Sequence, residues 1–334
     1  MSDNSKLESF KSLLAKNFGK STIINLKERE AYKDVIPCTS FSFNKASGIG
    51  GVAKGKIYEI FADPSSGKST LSYDIIANCH KTFNEECLLI EKEDSYTTTY
   101  GENLGINNDK LTIISPETQQ DMYEALLQAI KSKIFGVIVI DSLTSFAPKE
   151  RFEGSVIMGI EARLNSHYMR LVISELQKTD TALIILQQTR EKIGGMGDPT
   201  TVSGGKAVSF YAHVRIKITR SEIDKELQQN TMKFHFIKNK LATPFKVGAI
   251  VYNWTGGFDT ASEIGELALD AEIIKVVGKS YYLPEVEDKI VGKKKFLQYL
   301  KDNPDYMKDV IKPLVDKYLE EKEVIEDEEE TDDK

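Results

Sequence analysis

The sequence predicts an α/β protein whose mostly parallel sheet is covered on both faces. Strand and helix patterns alternate from residue 56 to 188, and "CLLIE", "GVIVID" and "ALIILQQ" are short, continuous apolar runs. Strands buried on both faces read this way, and alternation with helices implies parallel pairing through crossovers. A third observation places chemistry on that frame. The first strand runs into "ADPSSGKST", residues 62–70, which ends like a phosphate-binding loop.

Residues 4–17 carry Leu7, Phe10, Leu13 and Leu14 at helical spacing and predict a first helix. "STIINL", residues 21–26, is a short β-like run behind it. "KIYEIF" (56–61) predicts the strand entering the loop, and "STLSYDIIANCHKTF" (69–83) the helix leaving it. There follow strand 87–91, helix 119–132, strand 136–141, helix 160–179 and strand 182–188. After residue 205, "SFYAHVRIKITR" and "MKFHFIKNK" read as an antiparallel pair. From residue 264 a small α/β unit ends in the helices "GKKKFLQYLKD" and "PDYMKDVIKPLVDKYLEE".

The 334 residues are 40% hydrophobic, enough for a sizeable globular core. No run of about 18 apolar residues occurs, so no membrane span or membrane partner is expected. The start, "MSDNSKLESFKSLL", is amphipathic and charged, unlike a signal peptide. Cys38, Cys79 and Cys87 lack metal or redox spacing and read as buried free thiols in a reducing cytoplasm. The net charge of −7 is local: residues 320–334 hold ten carboxylates and two lysines, so this tail carries −8 and residues 1–319 carry +1. The body has room for basic patches, and the like-charge tail reads as a disordered, solubilising end.

The motif G-x-x-x-x-G-K-[ST] asks for glycine where Ala62 stands. If that position needs a positive φ, alanine costs about 1 kcal/mol, which a folded site absorbs. Between a strand and a helix, the backbone of Asp63, Pro64, Ser65, Ser66 and Gly67 and the helix start at Lys68, Ser69 and Thr70 can cradle phosphates. Lys68 reaches the β/γ-phosphates and Ser69 holds Mg²⁺. Asp141, closing "GVIVID", stands where a carboxylate supports the Mg²⁺ shell. In "LLIEKED", either Glu91 or Glu93 can polarise the attacking water. Alone, both read equally as solvated carboxylates at a strand end.

Taken together, these residues resemble the RecA family of recombinases, from about residue 7 to 318. "PSSGKST" matches the second half of that family's loop, and "IEKED" its water-activating strand, with a register that assigns the role to Glu93. "VIVIDSLTSFAPKERFEG" (137–154) is close to the family's metal-supporting strand and its exit. Tyr100, before "ENLGI", matches the aromatic that stacks on adenine. "LQQTREKIG" (186–194) resembles the segment whose glutamine senses the γ-phosphate and relays to DNA, implying Gln188. "IKNKLATPFK" (237–246) resembles the segment whose lysines reach a neighbouring subunit's nucleotide, implying Lys238 and Lys240. "SGGKAVSFYAHVR" (203–215) resembles the helix that follows the relay, and "YLKDNP" (299–304) a motif of the small C-terminal unit.

The resemblance implies a RecA-like P-loop ATPase core with a mostly parallel sheet, an N-terminal helix-strand oligomerisation arm and a small C-terminal α/β domain. The implied division is 1–30 for the arm, 31–262 for the core with two DNA loops, 263–319 for the small domain and 320–334 for the acidic tail. The arm would add its strand to an adjacent subunit and propagate a helical filament. "EGSVIMG" (153–159) and "EKIGGMGDPTTVSGG" (191–205) read as glycine-rich mobile loops, shorter than in well-known bacterial members, and the resemblance makes them single-stranded DNA loops. Met158 and Ile193 can wedge between bases, while Gly159, Gly204 and Gly205 let the backbone approach phosphates. Arg163, Ser166 and Arg170 fall on one helical face and, with Arg190, Lys192 and Lys206, make up the rest of the expected DNA contacts. Without the resemblance, that face reads first as solvated. Lys289, Lys293, Lys294 and Lys295 are either a soluble face or a gateway for duplex DNA.

The expected function is ATP- and Mg²⁺-dependent strand exchange on single- and double-stranded DNA. It would be carried out by a cytoplasmic homo-oligomeric filament, with a mediator or single-strand-binding protein as a further partner. Two rivals are a hexameric helicase-type motor on the same core and a non-catalytic regulator that binds ATP and DNA. The Ala62 loop is the main support for the regulator.

Overall fold

The computed structural model describes residues 3–19, 32, 34–153, 159–191, 200–202, 204–225, 228–254 and 257–319. The expected strand at 21–26 and the acidic tail lie outside them. Residues 1–33 form one compact unit and 34–334 another. The first contributes α1 (Asp3–Phe18), on which Leu7, Phe10, Leu13 and Phe18 are exposed.

The second unit begins with β1 (Val35–Ile36), α2 (Phe41–Ser47), β2 (Val52–Ala53), β3 (Ile57–Ala62), α3 (Lys68–Phe83), β4 (Glu86–Glu91) and α4 (Thr98–Asn103). It continues with β5 (Leu111–Ile114), α5 (Gln119–Ser132), β6 (Phe135–Asp141), α6 (Lys149–Phe152), α7 (Ile160–Leu176), β7 (Ala182–Glu191) and β8 (Thr200–Val202). Then come α8 (Ala207–Tyr211), β9 (Val214–Asp224), β10 (Gln229–Asn239), β11 (Val247–Asn253) and α9 (Thr260–Asp270). Last are β12 (Lys275–Val277), β13 (Ser280–Tyr282), β14 (Ile290–Val291), α10 (Lys293–Asp302) and α11 (Pro304–Tyr306). α11 runs on through a π-helical turn, Met307–Ile311, to residue 319.

Nine strands make the central sheet, in the order β11-β10-β9-β3-β7-β6-β4-β5, with β8 paired to β7. From β9 to β5 every neighbour is parallel, while β10, β11 and β8 pair antiparallel. The apolar runs explain the burial. Successive side chains of a strand point to opposite faces. Leu89, Val139, Ile184 and Leu186 pack with Leu71 and Ile75 of α3 on one face. Leu88, Ile90, Ile138, Ile140, Leu183 and Ile185 pack with Leu126 of α5 and Met169 and Val172 of α7 on the other. Both faces are therefore dry, as the continuous runs require. α5 is started by a capping box in which Thr118 and Asp121 bond reciprocally. A third cluster, around Ile264, Phe296, Leu300 and Ile311, is the core of the C-terminal unit. Glu263 joins that unit to the start of α2 by accepting from Ser40 Oγ at 2.8 Å and Ser42 N at 2.6 Å.

Two differences from the sequence reading concern loops. "SFY" belongs to α8, so the antiparallel strand starts only at Val214. The stretch 191–205 is not loop throughout: Thr189, Arg190 and Glu191 pair with Val202, Thr201 and Thr200. β7 thus leaves the sheet as one arm of a hairpin, and polar side chains hid this from a reading based on apolar alternation.

Ala62 is the last residue of β3, 1% exposed, paired with Gln188 on one side and Ile218 on the other. It is not among the positive-φ residues of the chain; Ser65 (φ 57°) and Gly67 (φ 92°) are. The loop therefore makes its left-handed turns after Ala62, and alanine there is unstrained. Restoring the motif's glycine with Ala62→Gly is expected to lower stability by roughly 0.5–1 kcal/mol, because glycine in a strand loses more backbone entropy. Nucleotide affinity should not improve; urea unfolding and nucleotide titration check both.

Candidate nucleotide and DNA site

Parallel strands bring the expected nucleotide residues to one end of the sheet. The loop of Asp63, Pro64, Ser65 and Ser66 leaves β3, and Gly67 starts α3 without any side-chain cap. An uncapped helix start presents free N–H groups, which favours an anion there. Glycine suits this position chiefly by its backbone. Its φ is left-handed, and a Cβ on it would meet Met232 Cε at 2.7 Å and Tyr252 Cζ at 3.5 Å. Lys68 is buried and donates to the carbonyls of Ala62 (3.1 Å) and Asp63 (3.0 Å). Burial holds its ammonium below the usual lysine value, against the pull of Asp141, Asp63 and Glu93.

Asp141 ends β6 level with Glu91 on β4. Burial raises its carboxyl above the usual range, against a hydrogen bond from Ser69, and Glu93 adds to the rise. Its Oδ2 is buried and has no hydrogen-bond partner among the described residues. An orphaned carboxylate oxygen beside a serine hydroxyl is a hard-oxygen pair that fits Mg²⁺, while the uncapped helix start suits the phosphates such an ion accompanies.

The two candidate bases are held differently. Glu91 is buried and accepts from Ser95 N (3.3 Å) and Ser95 Oγ (3.1 Å). Glu93 is exposed beyond the strand end, and Ser145 Oγ donates to its Oε1 at 2.6 Å. Glu91 is thus occupied in shaping its own turn, while Glu93 is aimed by Ser145 and stays open to water. Tyr100 lies on α4 with its hydroxyl 2.8 Å from Thr70 Oγ1, so the ring stands against the loop helix. With Tyr252, Trp254, Asn230 and Arg220 it lines a 450 Å³ cavity.

Gln188 lies on β7 opposite Ala62 and is half-buried. Its neighbour Gln187 faces inward and donates to Glu59 at 2.8 Å. Thr189 donates to the Asp63 carboxylate, fastening the phosphate loop to the strand that becomes the β7–β8 hairpin.

Lys238 and Lys240 are not part of this group. Lys238 pairs with Arg215, which is level with Glu59 in mid-strand, and Arg215 forms an ion pair with Glu59. Lys240 N donates to His213 O, and His213 N to Ile57 O, at the start of β3. At about 3.3 Å per residue, Lys240 stands some 16 Å along the sheet from the loop of its own chain. Lys238 Nζ donates to Ser209 O (2.8 Å) and Phe210 O (3.0 Å). Burial, with Lys240 and Arg215 close by, keeps its ammonium below the usual value. Burial, with Lys56, Lys240 and Lys238 nearby, pushes His213 down to about 4. Lys56, Lys238 and Lys240 are thus close enough to His213 to oppose its protonation.

The expected DNA residues form a third group. Arg163 and Arg170 are exposed on α7 with Ser166 half-buried between them. Gly159 caps the start of α7 at φ 73°, and Gly204 and Gly205 (φ 84° and 83°) lie against the same helix. Arg151, Gly159, Ala162, Gly204 and Gly205 line a 240 Å³ cleft. Lys206 starts α8. Met158, Lys192 and Ile193 lie outside the described residues, as does the side chain of Arg190. In the C-terminal unit, Lys293 is paired with Glu266 at 2.8 Å, and Lys294 and Lys295 are exposed. The sequence reading missed Ser145, Thr189 and Asn165, because each acts through a partner far along the chain.

The site and sheet define a P-loop nucleotide-binding protein with a second cationic pole. A model of the RecA N-terminal domain matches residues 5–259. The chain is 34% identical to Protein RecA of Deinococcus radiodurans over 313 residues, 91% of this chain and 86% of that one. It is 34% identical to Protein RecA of Colwellia psychrerythraea over 329 residues, 96% and 95% of the two chains. It is 35% identical to Protein RecA of Campylobacter hominis over 324 residues, 93% and 92%. The chain belongs to the RecA family.

The different holds on Glu91 and Glu93 give a direct expectation. Glu93→Gln should lower ATP turnover by about 10²–10⁴, the usual contribution of a general base, while Glu91→Gln keeps most of it. Steady-state hydrolysis at saturating ATP measures both; the reverse order would assign the base to Glu91.

Proposed function

We propose that the protein is a DNA-dependent ATPase that forms helical filaments on single-stranded DNA and carries out homology search and strand exchange. The observation that carries this reading is the two-ended sheet. The phosphate loop, Asp141, Glu93 and Gln188 stand at one end, Lys240 stands at the other, and Lys238 lies in mid-sheet on the way to it. A head-to-tail neighbour brings the second end of one copy to the first end of the next, and repetition of that contact is a filament.

In this reading Lys68 and the N–H groups at the start of α3 bind the phosphates, and Tyr100 supports the adenine. Ser69 and Asp141 hold Mg²⁺, which when bound offsets phosphate charge. Water attacks the γ-phosphorus, the bond to the β–γ bridging oxygen breaks, and ADP and phosphate leave. Glu93, aimed by Ser145, takes the proton from the water. The neighbour's Lys238 and Lys240 offset the charge that builds on the γ-phosphate. Gln188 senses that phosphate and passes its state along β7 to the second DNA loop, so ATP favours the state with high DNA affinity. Arg163, Ser166, Arg170, Gly204, Gly205 and Lys206 hold DNA phosphates, with Met158, Arg190, Lys192 and Ile193 as further contacts. Base pairing then reads homology.

The same reading divides the chain into an arm (1–30), a core (31–262), a small domain (263–319) and an acidic tail (320–334). The exposed apolar stripe of α1 supports an arm that docks on another copy. No helix of the described residues is long and apolar enough to cross a membrane. The reading sets the protein in the cytoplasm beside the DNA, with a mediator or single-strand-binding protein as a further partner. The regulator reading loses its main support, since Ala62 is unstrained.

The test is ATP hydrolysis with and without single-stranded DNA, beside a Lys68→Ala control. Strong stimulation by DNA that the control loses is the expected result. Hydrolysis indifferent to DNA would overturn the coupling, and none at all would overturn the enzyme.

A further inference from the structure

We infer that Asn165 is a positioning residue that clamps the exit of the second DNA loop onto the helix that follows the first, so that the two loops bind DNA as one unit. This rests on the reading above that both loops hold single-stranded DNA. Asn165 is 2% exposed, on the inner face of α7 between the outward Arg163 and the half-buried Ser166. Its Nδ2 donates to Gly204 O at 2.7 Å. Its Oδ1 accepts from Gln119 Nε2 and from Tyr123 Oη, both at 2.7 Å. Gln119 and Tyr123 belong to α5 and are 2% and 0% exposed.

The Gly204 carbonyl can only accept, and this fixes which way the amide points. With Nδ2 held there, Oδ1 faces α5 and takes its two donors. Buried polar groups are costly to leave unpaired, and each of the three bonds satisfies a polar atom of Asn165 that burial has taken from water. The glycines confirm how close the approach is. A Cβ on Gly204 would lie 2.6 Å from Asn165 Nδ2, and one on Gly205 would lie 2.8 Å from Ala162 Cβ. No other residue type fits between the clamp and the helix. Gly159, at the start of α7, lines the same cleft as Gly204 and Gly205. The end of the first loop and the end of the second are thereby fastened to one rigid helix, whose exposed Arg163 and Arg170 flank the joint.

Asn165 touches neither nucleotide nor DNA in this account. Its removal should weaken DNA binding and leave the nucleotide site alone. Asn165→Asp is the selective variant. Its carboxylate still accepts from Gln119 and Tyr123, but sets an oxygen against Gly204 O in place of a donor. Tyr123→Phe is the complementary control, because it removes one bond to α5 and keeps the clamp. Asn165→Ser, neutral and too short to reach Gly204, repeats the test if the carboxylate is not tolerated.

The measurements are the apparent affinity for a fluorescent oligothymidylate with ATP, the DNA-independent ATPase rate, KM for ATP, and the melting temperature. The expected result is DNA binding about tenfold weaker in N165D or N165S, with the DNA-independent rate and KM unchanged. Y123F should bind DNA as wild type does, even where its melting temperature falls. Unchanged DNA affinity in N165D and N165S overturns the clamp. So does a parallel loss of ATP affinity, or a Y123F as weak on DNA as N165D, since either would mark a general packing role. If wild type itself does not bind the oligothymidylate, the DNA reading of both loops fails, and the clamp's role in DNA binding fails with it.

Discussion

A parallel sheet has two unlike ends, and the organisation of this protein depends on that polarity. Every crossover between β3 and β7 returns the chain to the same side, so the C-terminal ends of β3, β4, β6 and β7 gather side by side. The phosphate loop, Glu93, Asp141 and Gln188 gather there from distant parts of the chain, and the Asp63–Thr189 bond spans 126 positions. The antiparallel strand β10 reverses direction, so it carries Lys238 in mid-sheet and leads to Lys240 at the other side. In the proposed reading, this one constraint assembles half of a site and exports the other half.

The strand that carries Gln188 beside the phosphate-loop strand also continues into the β7–β8 hairpin. β7 is paired with the phosphate-loop strand up to Gln188 and with β8 from Thr189 onward. Between those two roles there is no hinge, only consecutive residues. A packed sheet transmits displacement instead of absorbing it. The Thr189–Asp63 bond and the Asn165–Gly204 bond bracket the second loop, one at its entry and one at its exit. The first ties it to Asp63 of the phosphate loop, the second to the helix that carries Arg163 and Arg170.

Much of this was legible in the sequence, for physical reasons. The buried strands announce themselves because both of their faces are dry. The helix from Lys68 to Phe83 follows directly from the loop motif. Asp141 and the glutamates are marked by ending apolar strands. Family resemblance then selected Glu93; its hydrogen bond from Ser145 is something no local pattern announces. What stayed hidden is long-range and polar. β8 is three residues without apolar alternation, and it exists because β7 offers it an edge. Asn165 reads in sequence as an ordinary polar residue on a helix, yet it is buried because Gln119, Tyr123 and Gly204 satisfy it. Ala62 misled in the other direction: the motif made it look like a defect, and backbone geometry shows that the loop turns only after it.

The central claim is that one nucleotide site is built from two copies of the chain. Mixing two inactive variants tests it most directly. Lys68→Ala lacks the phosphate-loop lysine, and the Lys238→Ala, Lys240→Ala double variant lacks the second pole. Combined in equal amounts with single-stranded DNA, they should recover up to about a quarter of wild-type ATP hydrolysis, because a random head-to-tail array makes about one intact junction in four. Hydrolysis that stays at the level of the separate variants would contradict the account and place the whole site within a single chain.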